Sequence, residues 1–250
     1  MNTFTKTILA TTLLCSGMNL ALADESTEKV DPSNLTAVNT SGYVGMNNQG
    51  DVKLSASLGF GLKNGQMAMS TIEGSMDNEG KYKDSRLQYF HVFNVGNPVV
   101  PTAAASIDII DNTNFTTAAV GAVAMFKPGV ESLTIFGRVG ALAGEYDEGF
   151  ASAMGETDTD IVGGMAAAYF SWKPGADGTY LMLSPEYTYM DGSIETSTLK
   201  SSITVGTPLS ADGKRWGQFK IENTVGSMQS THQTVDIDDT VAWAFYKVYF

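Results

Sequence analysis

The sequence predicts an all-β chain that closes into a transmembrane, antiparallel, up-and-down β-barrel of about twelve strands, with 10–14 strands compatible with the pattern. Three observations support this fold class. Strand-like segments of alternating polarity follow one another from residue 37 onwards, separated by turn signals. No apolar stretch after Ala23 approaches the length of a spanning helix. The chain contains 26 Gly and has a mean hydropathy of −0.05, as expected when lipid-facing and lumen-facing residues alternate.

The first 23 residues have the features of a cleaved secretory signal peptide. Lys6 supplies the positive charge, residues 7–14 form a short and mostly apolar run, and Ala21-Leu22-Ala23 fits the small-x-small cleavage pattern. Lipidation at Cys15 is the alternative, although the residues before this cysteine lack the expected small side chain. Cleavage after Ala23 would remove the only cysteine, which leaves no thiol for a disulfide or a metal.

Residues 24–36 are polar, contain one proline and lack periodicity, which predicts a flexible periplasmic leader before a barrel of residues 37–250. The predicted strands span residues 37–46, 52–62, 66–76, 85–95, 101–111, 115–126, 132–144, 160–172, 179–190, 195–206, 216–228 and 240–250. Most are as long as a tilted strand must be to cross a bilayer.

The connections between these strands vary in length. Those at 63–65, 96–100, 127–131 and 173–178 are short, whereas those at 77–84, 145–159 and 229–239 are longer and polar. A rhythm of this kind favours a barrel with short periplasmic turns and longer external loops. The fit is partial because the gaps after the first, fifth and ninth strands are not long. A soluble β-sandwich is the alternative.

The second strand shows the two faces of the predicted barrel wall. Val52, Leu54 and Phe60 lie on one face, and Lys53 and Ser55 lie on the other. A sandwich would also bury one apolar face. The discriminating feature is therefore the second face, which in five strands is mostly small and polar, as a wet or tightly filled lumen requires.

Two strands depart from this pattern. In the fourth strand Leu87, Tyr89, His91 and Phe93 share the lipid face, while Phe90 and Val92 would face the lumen, and a β-bulge that shifts the register could repair the mismatch. In the seventh strand Phe136 and Leu142 fall on the polar side. Aromatic residues near strand ends could form girdles at the membrane interface; these are Tyr169, Phe170, Trp172, Tyr187 and Tyr189.

The last ten residues, V-A-W-A-F-Y-K-V-Y-F, form an alternating strand that ends on an aromatic residue. This strand resembles the closing strand of bacterial outer-membrane β-barrels. With the signal peptide and the strand rhythm, the chain resembles small porin-like proteins of Gram-negative bacteria. The resemblance implies a location in the outer membrane, with Phe250, Val248 and Tyr246 as the signal read by the barrel-assembly machinery. It also implies periplasmic chaperones, outer-membrane lipid, lipopolysaccharide and small polar solutes as partners.

Ten charged residues fall on the predicted lumen face, six of them positive and four negative. They are Lys53, Glu73, Arg86, Asp108, Arg138, Glu186, Lys200, Lys220, Glu222 and Lys247. Charges in a confined space need partners. Either they form a field that orients a small polar solute, with a positive excess that favours anions, or they pair across a narrow lumen and block it. Twelve strands lie between barrels that are filled by side chains and barrels that leave an open channel.

The predicted function is therefore passive diffusion of small hydrophilic solutes through a porin-like channel, by size exclusion and charge. The alternative is a structural or adhesive outer-membrane protein with a packed, non-conducting lumen. Some twelve-stranded porins for acidic oligosaccharides have arginine-lined channels. This chain has only Arg86, Arg138 and Arg215, so its resemblance to those porins is limited to architecture.

Other function classes are disfavoured. A net charge of −12 argues against nucleic acid as a partner. The only histidines, His91 and His232, match no catalytic motif, so neither an enzyme nor a cofactor is expected. Acidic residues in 145–160 and 236–239 could bind Ca²⁺ or Mg²⁺ weakly and bridge to lipopolysaccharide, but they lack the order of a calcium loop. Acidic loops that keep the surface soluble are the favoured interpretation, and no metal site is predicted.

Overall fold

A computed structural model describes residues 30–250 and arranges twelve antiparallel strands in one closed barrel. Every strand pairs with its neighbours in sequence, and β1 pairs with β12 to close the cylinder. The strands are β1 (Ser41–Asn47), β2 (Val52–Gly61), β3 (Met67–Met76), β4 (Tyr82–Asn94), β5 (Thr102–Asn112), β6 (Phe115–Phe126), β7 (Leu133–Tyr146), β8 (Asp160–Trp172), β9 (Tyr180–Gly192), β10 (Glu195–Pro208), β11 (Arg215–Gln229) and β12 (Thr234–Tyr249). The predicted fold class and strand number are confirmed, whereas the predicted signal peptide lies outside the described residues.

The outer wall of the barrel is apolar. Successive side chains of a strand point to opposite faces, and one face of nearly every strand exposes large aliphatic or aromatic residues. They include Val44, Leu54, Ile72, Ile107, Val120, Val139, Leu183 and Ile221. Such an exposed apolar surface is costly in water and is the surface that a bilayer covers. Within residues 30–250, the helical structure includes no segment that is long and apolar enough to span a membrane.

The connections follow the predicted rhythm only in part. We call the end of the barrel near residue 30 and Phe250 the terminal end, and the opposite end the far end. The terminal-end connections span residues 62–66, 95–101, 127–132, 173–179 and 209–214, whereas the far end includes tight turns at 113–114 and 193–194. The prediction of a long loop at 229–239 is wrong. β11 and β12 stay paired as far as Gln229 and Thr234, so only residues 230–233 connect them. The long far-end connection follows β7 and contains the short helix α1 (Glu148–Ala153).

The described part of the predicted flexible leader lies inside the barrel instead. Asp31 accepts hydrogen bonds from the backbone and hydroxyl of Ser33, and Asn34 accepts the same pair from Thr36. These two Asx turns give residues 30–36 a defined shape, and both Ser33 and Thr36 are buried. Residues 30–40, which precede β1 and which we call the inner segment, form no strand. Residues 24–29 of the predicted leader lie outside the described residues.

The fourth strand needs no register shift. Its pairing with β5 is regular from Asp84 to Asn94, and the irregularity against β3 lies at Ser75/Met76, beyond the mismatched region. Phe90 therefore faces the lumen together with Val92, and both side chains are buried. The alternation in the sequence therefore places these residues on the correct faces, and the mismatched part of β4 contains no bulge.

Candidate functional site in the barrel lumen

The ten charged residues predicted for the lumen lie on inward-facing positions of the strands. Nine of them form a band around the wall, which we call the charge belt. Its members, in the order of the strands from β2 to β11, are Lys53, Glu73, Arg86, Asp108, Arg138, Glu186, Lys200, Lys220 and Glu222. Positive and negative side chains mostly alternate from one charged strand to the next. Opposite charges on neighbouring strands attract, so this order stabilises the belt without a partner from outside.

Asp108 is the most buried member of the charge belt, at 1% exposure. It accepts hydrogen bonds from Arg86 Nε at 2.7 Å, from Gln88 Nε2 at 2.8 Å and from Arg138 Nη2 at 3.1 Å, and it also contacts Arg86 Nη2. Arg138 reaches it from β7 across β6, whose inward residues there include the short Gly121. One carboxylate thus holds two guanidinium groups against the same side of the lumen.

A second ion pair lies on β2 and β3. Lys53 Nζ is 3.3 Å from a carboxylate oxygen of Glu73 and 3.8 Å from one of Asp84. The Tyr43 hydroxyl donates to the other oxygen of Glu73. The Lys53 ammonium also lies 5.5 Å from the ring centroid of Trp243, within the range of a cation–π contact. The lysine is therefore held by a carboxylate and an aromatic face together.

The opposite wall, from β9 to β11, is more loosely paired. Lys220 Nζ is 2.7 Å from Glu222, its neighbour two residues along β11. Glu186 accepts a 3.3 Å hydrogen bond from the Tyr169 hydroxyl and lies opposite Lys200 in the strand register. Among residues 30–250, no ion pair involves Lys200. Part of the positive excess of the lumen therefore lies on this wall.

The tenth predicted residue, Lys247, lies on β12 between aromatic side chains. Its ammonium is 5.4 Å from the ring centroid of Tyr43 and 5.9 Å from that of Tyr249. It makes no ion pair with the described part of the chain. Lys247 thus adds a second unpaired positive charge to the lumen.

Below the charge belt, the terminal end of the lumen is packed with apolar side chains. These residues, which we call the terminal-end core, are Phe90, Val92, Ala104, Val123, Met125, Phe136, Tyr180, Met182, Trp216 and Tyr249. Leu35 and Val38 of the inner segment pack against them. Phe136 was a misfit of the sequence pattern because that pattern assumes a polar lumen throughout, and here it fills the lumen at 0% exposure.

The far end carries a second apolar cluster beside α1. Asp147 caps this helix by accepting hydrogen bonds from the amides of Gly149 and Phe150. Met154 at the C-terminus of the helix packs with Tyr146, whose hydroxyl bonds to the Thr196 hydroxyl at 2.7 Å. The other buried members of the cluster are Ala151, Ile161, Met190 and Ile194. This cluster explains the second misfit of the seventh strand, since Leu142 packs against it.

The two histidines and the acidic loop residues form no metal-binding cluster within residues 30–250. His91 lies on the outer wall, 2.8 Å from Gln66 and 3.1 Å from Tyr89, while His232 is exposed in the β11–β12 turn. Glu156, one of the acidic loop residues, accepts hydrogen bonds from the amide and hydroxyl of Thr231. In this part of the chain, no three His, Cys, Asp or Glu side chains are placed to hold one metal ion.

The closing strand and the aromatic residues have the following positions. Phe250 is exposed and donates its amide to the carbonyl oxygen of Thr40 at 3.0 Å, and Tyr246 faces outward like Val248. Their role as an assembly signal stays a prediction. Phe170 and Trp172 are exposed on the outer wall, as an interface girdle requires. The girdle prediction is wrong for Tyr169, which faces inward toward Glu186.

The sequence pattern does not predict the inner segment or the two apolar clusters. The motifs Asp31-Pro32-Ser33 and Asn34-Leu35-Thr36 are signals for local turns and could have indicated an ordered segment. They carry no information about the surface on which the segment packs.

Comparison with solved structures supports the same architecture. No protein-family model and no curated protein sequence matches the chain. The structure of the KdgM porin superimposes with a TM-score of 0.52 at 9% identity, covering 85% of this chain and 99% of that one. The NanC porin gives 0.60 at 8% identity, covering 84% and 99%. An outer membrane channel from Pseudomonas putida F1 gives 0.56 at 13% identity, covering 89% and 100%. The chain therefore has the fold of outer-membrane porin-like β-barrels.

Proposed function

We propose that this protein is an outer-membrane channel for passive diffusion of small hydrophilic solutes. The observation that carries the proposal is the charge belt, a band of charged side chains on the inner wall of a barrel whose outer wall is apolar. Placing nine ionisable groups inside a structural filler would be costly, whereas a solute pathway makes use of them. The apolar outer wall and the likeness to outer-membrane barrels support the outer membrane as the location.

The distribution of charge supports a preference for anions. The belt has five cations and four carboxylates, and Lys247 adds a sixth cation. Lys200 and Lys247 have no ion pair within residues 30–250. Lys200 is exposed and therefore available to a passing anion, whereas Lys247 adds its charge from between the rings of Tyr43 and Tyr249. Arg86 and Arg138 are already shared with Asp108. Selection would then act through size exclusion and a weak field rather than through a specific binding site.

Planar-bilayer recording tests the proposal. Purified protein should give discrete conductance steps, and Arg138→Ala and Lys220→Ala should each shift the reversal potential toward cation selectivity, because each removes a lumen cation. The matched control is Lys81→Ala, which removes an exposed lysine from the far-end β3–β4 turn and should leave selectivity unchanged. Steps with the same selectivity in all four proteins would contradict the assigned role of the belt.

A structural or adhesive role is the second candidate, and the packed ends of the lumen favour it. The terminal-end core and the cluster beside α1 place buried apolar side chains at both ends of the lumen. In that case the ion pairs of the belt only fill the barrel, and recording would give no steps under any condition. We further infer that the protein is not an enzyme, because the His91 ring contacts Gln66 and Tyr89 on the outer wall, and His232 contacts Ser230 through its backbone amide rather than its ring.

The partners implied by the resemblance remain proposals. The outer wall supports contact with outer-membrane lipid, and the exposed Phe250 supports recognition by the barrel-assembly machinery. Contact of the acidic far-end connection with lipopolysaccharide is supported only by its charge, since its acidic residues serve as a helix cap and hydrogen-bond acceptors.

A further inference from the structure

The inner segment occupies the terminal end of the lumen. Leu35 packs against both halves of the terminal-end core, and Val38 packs against the half that contains Phe136. The Thr36 hydroxyl lies 2.9 Å from that of Thr102 on β5. Contacts with well-separated parts of the wall mean that the segment crosses the lumen rather than following one strand.

The inner face of β2 has a glycine at the position where the inner segment approaches it. Gly59 is an inward-facing residue of β2, and a Cβ atom there would lie 2.9 Å from Val38 Cγ1 and about 3.0 Å from the backbone of Asn39. Glycine inside a strand often marks a close approach of another stretch of backbone, and here the inner segment makes that approach. Gly61, two residues along the same face, has only Met67 Sδ at 3.8 Å and could accept a side chain.

The segment is held by contacts that can be broken without opening the barrel. It belongs to no strand, and its hydrogen bonds to the backbone of β2 and of the closing end are made at Thr40, which accepts from the amides of Gly59 and Phe250. Residues 30–39 can therefore leave without loss of a ladder hydrogen bond between strands. Its ion pair, between Asp31 and Lys173, joins two side chains that are each more than one-third exposed. Release would, however, expose the terminal-end core to water, which makes the inserted position the favoured one at rest.

We propose that the inner segment is a displaceable plug, which closes the terminal end of the lumen when inserted and permits conduction when it leaves. This inference rests on the proposed channel function. The inserted state is then the closed state, and the open state is a minor population that grows when a contact of the segment is weakened.

A disulfide lock tests whether the segment blocks the lumen. Thr36→Cys/Thr102→Cys places two thiols where the hydroxyls are 2.9 Å apart, and the only natural cysteine, Cys15, lies in the predicted signal peptide. The oxidised double variant should show no conductance steps, and reduction should restore the wild-type open probability. Equal, non-zero conductance before and after reduction, with the disulfide confirmed by mass spectrometry, would overturn the plug.

A glycine substitution tests the same proposal in the opposite direction. Gly59→Val puts side-chain atoms where Val38 and Asn39 lie and should raise the open probability about tenfold, which corresponds to about 1.4 kcal/mol. Gly61→Val is the matched control, because a Cβ atom on the same face there meets only Met67 Sδ, at an ordinary contact distance of 3.8 Å. It should behave like the wild type. Equal open probabilities in the two conducting variants would overturn the plug.

Thiol labelling separates failure of the plug from failure of the channel. Ser33→Cys, at a buried position of the segment, should react slowly with a membrane-impermeant maleimide, and about tenfold faster when combined with Gly59→Val. Faster labelling together with electrical silence in every variant would overturn the channel function while the segment still proves displaceable. Equal labelling rates with Gly59→Val and Gly61→Val would overturn the plug itself.

Discussion

The charge belt and the terminal-end core lie in the same lumen, yet they are built in opposite ways. Asp108 of the belt is surrounded by two arginines and an amide, whereas Phe136 of the core is fully buried among apolar side chains. The belt follows the polar-inward alternation expected of a transmembrane barrel. The core instead resembles the interior of a soluble protein. One lumen can therefore contain a polar zone and a packed zone, and the second depends on a segment outside the strands.

The largest expected effect comes from the core. Phe136→Ala removes a fully buried ring and should lower the free energy of unfolding by about 3–5 kcal/mol, because the cavity cannot collapse between the strands. Urea unfolding in detergent micelles, followed by the mobility of the folded band on unheated gels, would measure it. Phe170→Ala, on the outer wall, is the control and should cost much less. Similar losses of unfolding free energy in the two variants would mean that Phe136 is not packed more tightly than a residue of the outer wall.

Substitutions in the charge belt should change stability through the loss of ion pairs rather than through the loss of packed volume. Asp108→Ala leaves Arg86 and Arg138 without their shared carboxylate and should cost about 3 kcal/mol, the low end for breaking a buried ion pair, since both arginines retain some contact with solvent. Asp108→Asn keeps an acceptor oxygen and should lose less. The same unfolding assay applies. A cost for the alanine variant below that of the asparagine variant would mean that Asp108 is not electrostatically required.

The ion pair of the inner segment should contribute little. Asp31 and Lys173 are both more than one-third exposed, so Asp31→Asn should change the unfolding free energy by at most about 1 kcal/mol, and the change should shrink as salt is added. Unfolding at low and high ionic strength measures both quantities. A loss that is large and independent of salt would place this contact among the buried interactions of the core.

The smallest expected effect is the pH dependence of the β7–β8 connection at the far end, through Glu156. Hydrogen bonds from the hydroxyl and the amide of Thr231 lower the pKa of Glu156 below its ordinary value of 4.5. The anchoring of the loop is therefore complete above pH 4.5 and is lost as the pH falls through the lowered pKa. Amide exchange of residues 147–159 should accelerate in that acidic range. In Glu156→Gln the same exchange, corrected for intrinsic rates, should no longer depend on this titration, and an unchanged pH profile would contradict the assignment.

Local periodicity was sufficient to predict the strands and the inward position of the charged residues. The two-residue period of β2 separates Lys53 from Leu54 without any tertiary information. Phe90 and Phe136 depart from this alternation, because it expects small and polar side chains along the whole inner face. A polar sequence with proline likewise predicts a flexible leader. The position of Leu35 depends on apolar side chains that several distant strands bring together, and periodicity along one segment does not reveal such a surface.

Apolar side chains cover the outside of the closed cylinder while its inside is shielded from lipid, and two tryptophans report on these two surfaces. Trp172 is 47% exposed on the outer wall, whereas Trp243 is 7% exposed in the lumen. Two single-tryptophan proteins, each with the other two tryptophans replaced by Phe, would be reconstituted in vesicles whose acyl chains are brominated near the headgroup. We expect strong quenching of Trp172 fluorescence and little quenching of Trp243 fluorescence. Equal quenching of the two, or none of either, would contradict this arrangement.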